Sequence, residues 1–184
     1  MHSIPTLLVT GADRAAKSVF LRALLAIRPP RERWALIDND GSPPDASTVD
    51  DDFRFASVSG CACCTGQISL QTGIVRLLRD AKPQRLVIVV AAAAEPAALD
   101  QVLRQEHLAA SLRIARSACI VSASLQHAGE TAQDLWLRQM RAADDVVAID
   151  EAAVPALQGR ALPIIGVAEA CTLALAGLAR AART

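Results

Sequence analysis

The chain has 184 residues, with 19 basic and 19 acidic side chains, and this balance argues against a strongly basic nucleic-acid or membrane-surface binder. Two Trp, three Phe and no Tyr leave little on which bases could stack. The length suits one domain over residues 1–184 with a sizeable core, and no apolar run approaches the ~20 residues that a membrane-spanning helix needs. Met1 to Val9 has no basic leader followed by a long apolar run, so the default expectation is a reducing, cytoplasmic setting.

The first apolar run, Ile4 to Thr10, has strand length and ends at Gly11. Lys17-Ser18 then opens an apolar-periodic helix through Phe20, Leu21, Leu24 and Leu25, which Pro29-Pro30 closes. Strand, loop and helix are the setting in which a phosphate-binding loop has meaning. Against G-x-x-x-x-G-K-[ST], the chain reads Gly11-Ala12-Asp13-Arg14-Ala15-Ala16-Lys17-Ser18, and every fixed position matches except the second glycine, which is Ala16. An Ala held at positive φ costs roughly 1–2 kcal/mol. Arg14 either binds a phosphate or fills its place, and Asp13 repels an anion. The competing reading is an ordinary strand-to-helix turn with Lys17 in solvent.

A second strand over 34–37 runs into Asp38-Asn39-Asp40-Gly41. Carboxylates at the C-terminal end of a strand lie where open α/β sheets bind ligands. Asp38 and Asp40 suit Mg²⁺ or a place in a zinc shell, or they belong to a polar turn. A polar, acidic loop over 42–52 leads to a short strand at 53–58.

Gly60-Cys61-Ala62-Cys63-Cys64-Thr65-Gly66 follows, with three of the five cysteines in four residues. Thiols this close are a poor match for one structural disulfide, because pairing two strands the third. They suit a soft divalent metal, zinc above all, at about 2.3 Å per thiolate. The next segment reads as a helix with Ile68, Val75, Leu77 and Leu78 apolar and Thr65 as its N-cap, so the thiols lie near a positive helix end that favours thiolate. The plainer reading buries Cys63 or Cys64 as a small hydrophobe.

Residues 85–90 read as a central, parallel strand, with Glu95-Pro96 as the entry to the next helix. Strands are expected at 114–121, 146–149 and 162–167, and helices at 131–141 and 168–183. Cys119 and Cys171 read as core residues. His107 and His127 read as surface or capping histidines, His107 being the better candidate for a distant metal ligand. The alternation predicts an α/β fold, a mostly parallel sheet with helices on both faces.

With loop, acidic turn and cysteine cluster in this order, the chain resembles the CobW-type metal-chaperone GTPases, P-loop proteins grouped with the urease and hydrogenase nickel-insertion proteins. The segment PTLLVTGADRAAKSVFLRALL is similar to that family's first strand, Walker A loop and helix, and GCACCT matches its GCxCCT signature. Asp38-Asn39-Asp40 stands where the family has an Asn-Glu pair. Glu95-Pro96 aligns with the Asp-Pro of its ETSGLADP segment. The resemblance implies a P-loop NTPase-like fold, GTP with Mg²⁺ at Gly11, Arg14, Ala16, Lys17 and Ser18, and zinc or a similar divalent metal at Cys61, Cys63, Cys64, Asp38 and Asp40.

The departures cluster in the nucleotide motifs. Family glycines of Walker A fall on Arg14 and Ala16, and the Glu and Gly of ETSGLADP on Val89 and Ala92. The guanine-reading Asn-Lys-x-Asp falls near residues 149–152 (IDEA), without the Lys or the matching Asp. The family's C-terminal domain is absent from the 184 residues. The expectation is a degenerate, metal-holding member with weak or lost GTP hydrolysis and no assigned catalytic residue. A client metalloprotein or a competent GTPase is its expected partner, and a homodimer sharing thiolates is compatible. The alternatives are a working GTP-hydrolysing zinc metallochaperone and, third, a thiol redox or sensing protein.

Overall fold

In the computed structural model, residues 3–41, 44, 50–59, 66–124, 129–150, 153 and 164–182 are described. Seven parallel strands form one sheet. They are β1 (Ile4–Thr10), β2 (Trp34–Asp38), β3 (Phe53–Ser57), β4 (Arg85–Val89), β5 (Leu112–Val121), β6 (Asp145–Ala148) and β7 (Ile164–Gly166), in the spatial order β3-β2-β4-β1-β5-β6-β7. The helices are α1 (Arg14–Ala26), α2 (Gln67–Ala81), α3 (Pro96–Leu103), α4 (Glu106–Ala109), α5 (Glu130–Ala142) and α6 (Val167–Ala181).

Strand periodicity assigns the two faces. Leu7, Val9, Leu36, Val87, Val89 and Ile120 point to one side, where they pack with Phe20 and Leu24 of α1 and Ala174 and Leu178 of α6. Their neighbours Ala35, Ile37, Leu86 and Ile88 point to the other side, under Leu70 and Ile74 of α2 and Leu99 of α3. A sheet covered on both faces explains why its central strands are nearly continuous apolar runs. Cys119 and Cys171, 1% and 2% exposed, are core residues, and burial pushes both thiols up to about 11.

Two expectations from the sequence need correction. First, α1 begins at Arg14 rather than Lys17, so Ala16 lies in its first turn, and among the described non-glycine residues only Arg31 and Lys82 have positive φ. The strain expected at Ala16 is therefore not incurred. Second, α2 buries Leu70, Ile74 and Leu77, while Ile68 and Val75 are 75% and 43% exposed. Residues 68, 70, 74, 75, 77 and 78 supply two overlapping apolar stripes, and packing on β2 and β3 selects one. Gly66 holds the N-cap position of α2 without a side-chain hydrogen bond. The connection from β4 to β5 carries only short helices, and a cleft of about 1010 Å³ opens between α3 and α5 over Leu8 and Ile114.

Candidate nucleotide and metal site

The parallel register brings the C-terminal ends of β1, β2 and β4 to one level, with Val9 beside Val89 and Val89 beside Asp38. Loops from these three strands form the site, at the edge where open α/β sheets bind ligands.

Gly11 makes the turn out of β1. Its φ is +129°, and a Cβ there would lie 2.3 Å from the Ile120 carbonyl oxygen of β5. Only glycine fits, for conformational and steric reasons together. Asp13 follows as the N-cap of α1, with extended backbone and Oδ1 accepting from the Ala16 amide at 3.1 Å. Its other oxygen, Oδ2, accepts from the Ser122 hydroxyl at 2.6 Å and the Ser124 hydroxyl at 3.2 Å. Burial alone would raise this carboxyl's pKa, but the hydrogen bonds from Ser122, the Ala16 amide and Ser124 outweigh it and hold the pKa below its ordinary value. A helix N-terminus that would attract a phosphate is thus capped by the chain's own carboxylate.

Lys17 is 0% exposed. Its ammonium donates to the Val90 carbonyl oxygen at 2.8 Å and lies 2.9 Å from Asp40 Oδ2. Burial draws the Lys17 pKa below its ordinary value, opposed by Asp40 and, more weakly, by Asp38. The solvated lysine of the plain-turn reading is thereby excluded. Arg14 is exposed and does not fill the cradle. Its guanidinium leans over Gly41, 3.2 Å from where a Cβ of that residue would sit. Ser18 lies one residue on in α1, partly buried.

The acidic turn is a hydrogen-bonded unit. Asp38 is fully buried and accepts from the Asp40 amide at 2.9 Å. Asp40 Oδ1 accepts from the Ala92 amide at 3.2 Å, which ties the loop after β4 to the turn. Asn39 Nδ2 donates to the Val58 carbonyl oxygen at 3.0 Å, and the Val58 amide donates back to Asp38 O at 2.8 Å. Asp38 and Asp40 therefore sit beside the segment leading toward Cys61, Cys63 and Cys64, although these three cysteines lie outside the described residues. Among the described residues, no three His, Cys, Asp or Glu side chains converge as a metal site. His107 is in α4, and His127 lies outside the described residues.

Three contributors were not anticipated from the sequence. Ser122 and Ser124 reach Asp13 from more than a hundred residues away, which no local pattern signals. Gln139 of α5, 1% exposed, donates to the Ala92 and Ala94 carbonyl oxygens at 3.0 and 2.8 Å and so pins the loop after β4, whose Ala92 amide Asp40 also holds. At the guanine-reading position, Asp150 accepts from the Ala153 amide at 2.8 Å and from the Ala123 amide at 3.5 Å.

Comparison with known proteins agrees with this architecture. The zinc chaperone YeiR of Escherichia coli K12 is 27% identical over 146 residues, covering 77% of this chain and 44% of YeiR. The Zn(II)-bound YjiA GTPase of E. coli superposes with a TM-score of 0.61 at 20% identity, over 90% of this chain and 57% of YjiA. The hydrogenase maturation factor HypB of Archaeoglobus fulgidus gives 0.61 at 14% identity, over 95% and 90%. At these identities the structural likenesses establish the P-loop NTPase-like fold. The chain spans about half the length of YeiR and of YjiA. The nucleotide-binding domain of CobW/HypB/UreG matches residues 5–154, and the chain belongs to that family.

Proposed function

We propose that this protein is a metal-binding member of the family, holding zinc or a similar divalent ion at Cys61, Cys63 and Cys64, with its nucleotide site silenced. The observation that carries the second half is that the phosphate cradle is already filled by the chain's own charges. Asp13 sits on the N-terminus of α1, and Lys17 is buried against Asp40 and Val90. A γ-phosphate would meet a carboxylate where the loop should offer free amides, and phosphoryl transfer depends on such positioning. The Walker B and guanine-reading carboxylates are also missing, with Val89 and Ala92 in the former segment. No residue is assigned a catalytic role.

The metal half rests on donor chemistry. Three thiols suit a soft divalent ion, and Asp38 or Asp40 would add an oxygen ligand. Val58, bonded to the acidic turn, precedes Cys61 by three residues, and three residues of extended chain span at most about 11 Å. The zinc chaperone YeiR and the Zn(II)-bound YjiA GTPase favour that metal. The role would be to hold metal for a client metalloprotein, or to regulate a GTPase-competent partner. A working GTPase metallochaperone is the competing reading, favoured by the intact Gly11 turn and the Lys17-Ser18 pair, and it requires Lys17 to leave Asp40.

The test is a zinc titration against a chromophoric chelator. Replacing Cys61, Cys63 and Cys64 together by Ser should weaken zinc binding at least 100-fold, and an unchanged affinity would contradict the assignment.

A further inference from the structure

One face of the sheet is left partly open at its centre. Leu7 and Val9 of β1 point to the side of α1 and α6 and are fully buried. Leu8 between them points to the other side and is only partly buried. Ile114 of the neighbouring β5 lines the same cleft and is 37% exposed. Central strands of a parallel sheet are ordinarily buried on both faces. Here β1 and β5 form the floor of the cleft of about 1010 Å³, with Leu99 and Leu103 of α3 on one wall and α5 on the other. That room is at the upper end of the ~300–1,000 Å³ occupied by small-molecule sites, which are apolar and carry few polar groups.

The charges of the cleft do not cancel. Four arginines and three carboxylates line it. Asp100 holds Arg104 one turn along α3. Glu95, the N-cap residue of α3, holds Arg138 of α5. Asp144 accepts from the amide and hydroxyl of Ser117, and Arg113 donates to the Ala181 carbonyl oxygen at the end of α6. Arg141 alone of these has no partner among the described residues. It follows Arg138 by three positions, so the two guanidiniums share one face of α5, with Glu95 as their one carboxylate. An apolar floor thus adjoins one unanswered cation.

We propose that this cleft binds a soluble amphipathic monocarboxylate, a fatty acid of medium chain length, with its chain on Leu8, Leu99, Leu103 and Ile114 and its carboxylate on Arg141. A guanidinium takes a carboxylate through two parallel hydrogen bonds, and the chain covers the apolar surface that the sheet leaves open. A helix from a partner protein, ~10–12 Å across, fits less well, because the Arg138–Glu95 pair ties the two walls together and would have to part. An acyl chain is slim enough to leave that pair in place. The site draws on no residue of the phosphate loop, the acidic turn or the cysteine segment, so it stands apart from the metal assignment.

The test titrates the unsubstituted protein with octanoate, decanoate and dodecanoate in a calorimeter, below their micelle concentrations. One site per chain is expected. Affinity should rise about tenfold for each two methylenes added, since burying one methylene is worth about fourfold. Dodecyltrimethylammonium, a cation on the same chain, should bind at least tenfold more weakly. Arg141→Gln should weaken dodecanoate about threefold to fivefold, the range of an exposed ion pair. Ile114→Glu puts a carboxylate on the floor and should weaken it at least tenfold. Ile114 is already 37% exposed, and circular dichroism checks that the variant folds. A diazirine analogue of dodecanoate, irradiated on the unsubstituted chain and mapped by peptide mass spectrometry, should label β1, α3, β5 or α5, which locates the site without any variant.

Absence of saturable dodecanoate binding up to about 1 mM overturns the proposal. Affinity that ignores chain length, or label confined to other elements, does so as well. Equal binding of dodecanoate and dodecyltrimethylammonium, or unchanged affinity in Arg141→Gln, overturns the choice of an anion. A chain that sediments as a dimer, turns monomeric in Ile114→Glu and binds no dodecanoate overturns it in favour of a second copy on this face.

Discussion

Gly11 and Asp13 carry most of what distinguishes this loop. Gly11→Ala places a methyl group 2.3 Å from the Ile120 carbonyl at a φ of +129°, and should cost about 3 kcal/mol in chemical denaturation. A loss under ~0.5 kcal/mol would show that the β1–β5 contact relaxes freely. Asp13→Ala removes an N-cap and should cost about 1 kcal/mol. Asp13→Asn keeps the cap and tests the charge. The Asp13 carboxyl titrates below its ordinary value in the folded protein, so its stabilisation is in place above an unfolded value of 3.8 and is lost as pH falls through the folded one. Denaturation midpoints between pH 2 and 5 should therefore fall less steeply in Asp13→Asn than in the parent, and parallel curves would contradict this. The sequence marks Asp13 only as an anion-repelling loop residue, because the expected helix starts at Lys17; its capping role follows from the observed start of α1 at Arg14. Its clamp by Ser122 and Ser124 was not readable, because it joins loops that only the folded sheet brings together.

At the scale of elements, long apolar segments such as β1 and β4 were legible because strands covered on both faces admit little else. The face of α2 was not. Its six apolar positions fit two helical stripes, and only the sheet decides between them. The outcome is testable with adjacent residues. Ile74→Ala, fully buried, should cost about 3 kcal/mol. Val75→Ala, 43% exposed, should change stability by less than ~0.5 kcal/mol. Equal effects would mean that α2 is turned relative to the sheet. Ile68 at the start of α2 is an exposed apolar side chain, four residues after Cys64 in the sequence. The apolar periodicity marks the start of α1 three residues late, because its first turn, Arg14-Ala15-Ala16, carries no large apolar residue.

For the whole molecule, the sheet order and the loop positions are those of a nucleotide-binding fold, while the chemistry at the loop has turned inward. Lys17 reaches Asp40 and Val90, Asp13 reaches the helix it begins, and Asp150 accepts from the Ala153 and Ala123 amides. Gln139 and Asp40 both hold the loop after β4. The family fold was legible from the order of motifs, but whether degenerate motifs leave a site empty or filled depends on side-chain partners from four strands. The central claim is that the chain's own charged groups occupy the phosphate cradle. The most direct measurement is a titration of the metal-free protein with a fluorescent GTP analogue and Mg²⁺. No saturable binding is expected up to about 1 mM, the limit at which only ~4 kcal/mol of binding free energy would be needed. Micromolar binding that is abolished by Lys17→Ala would contradict it, since Lys17 would then be gripping phosphate in place of Asp40.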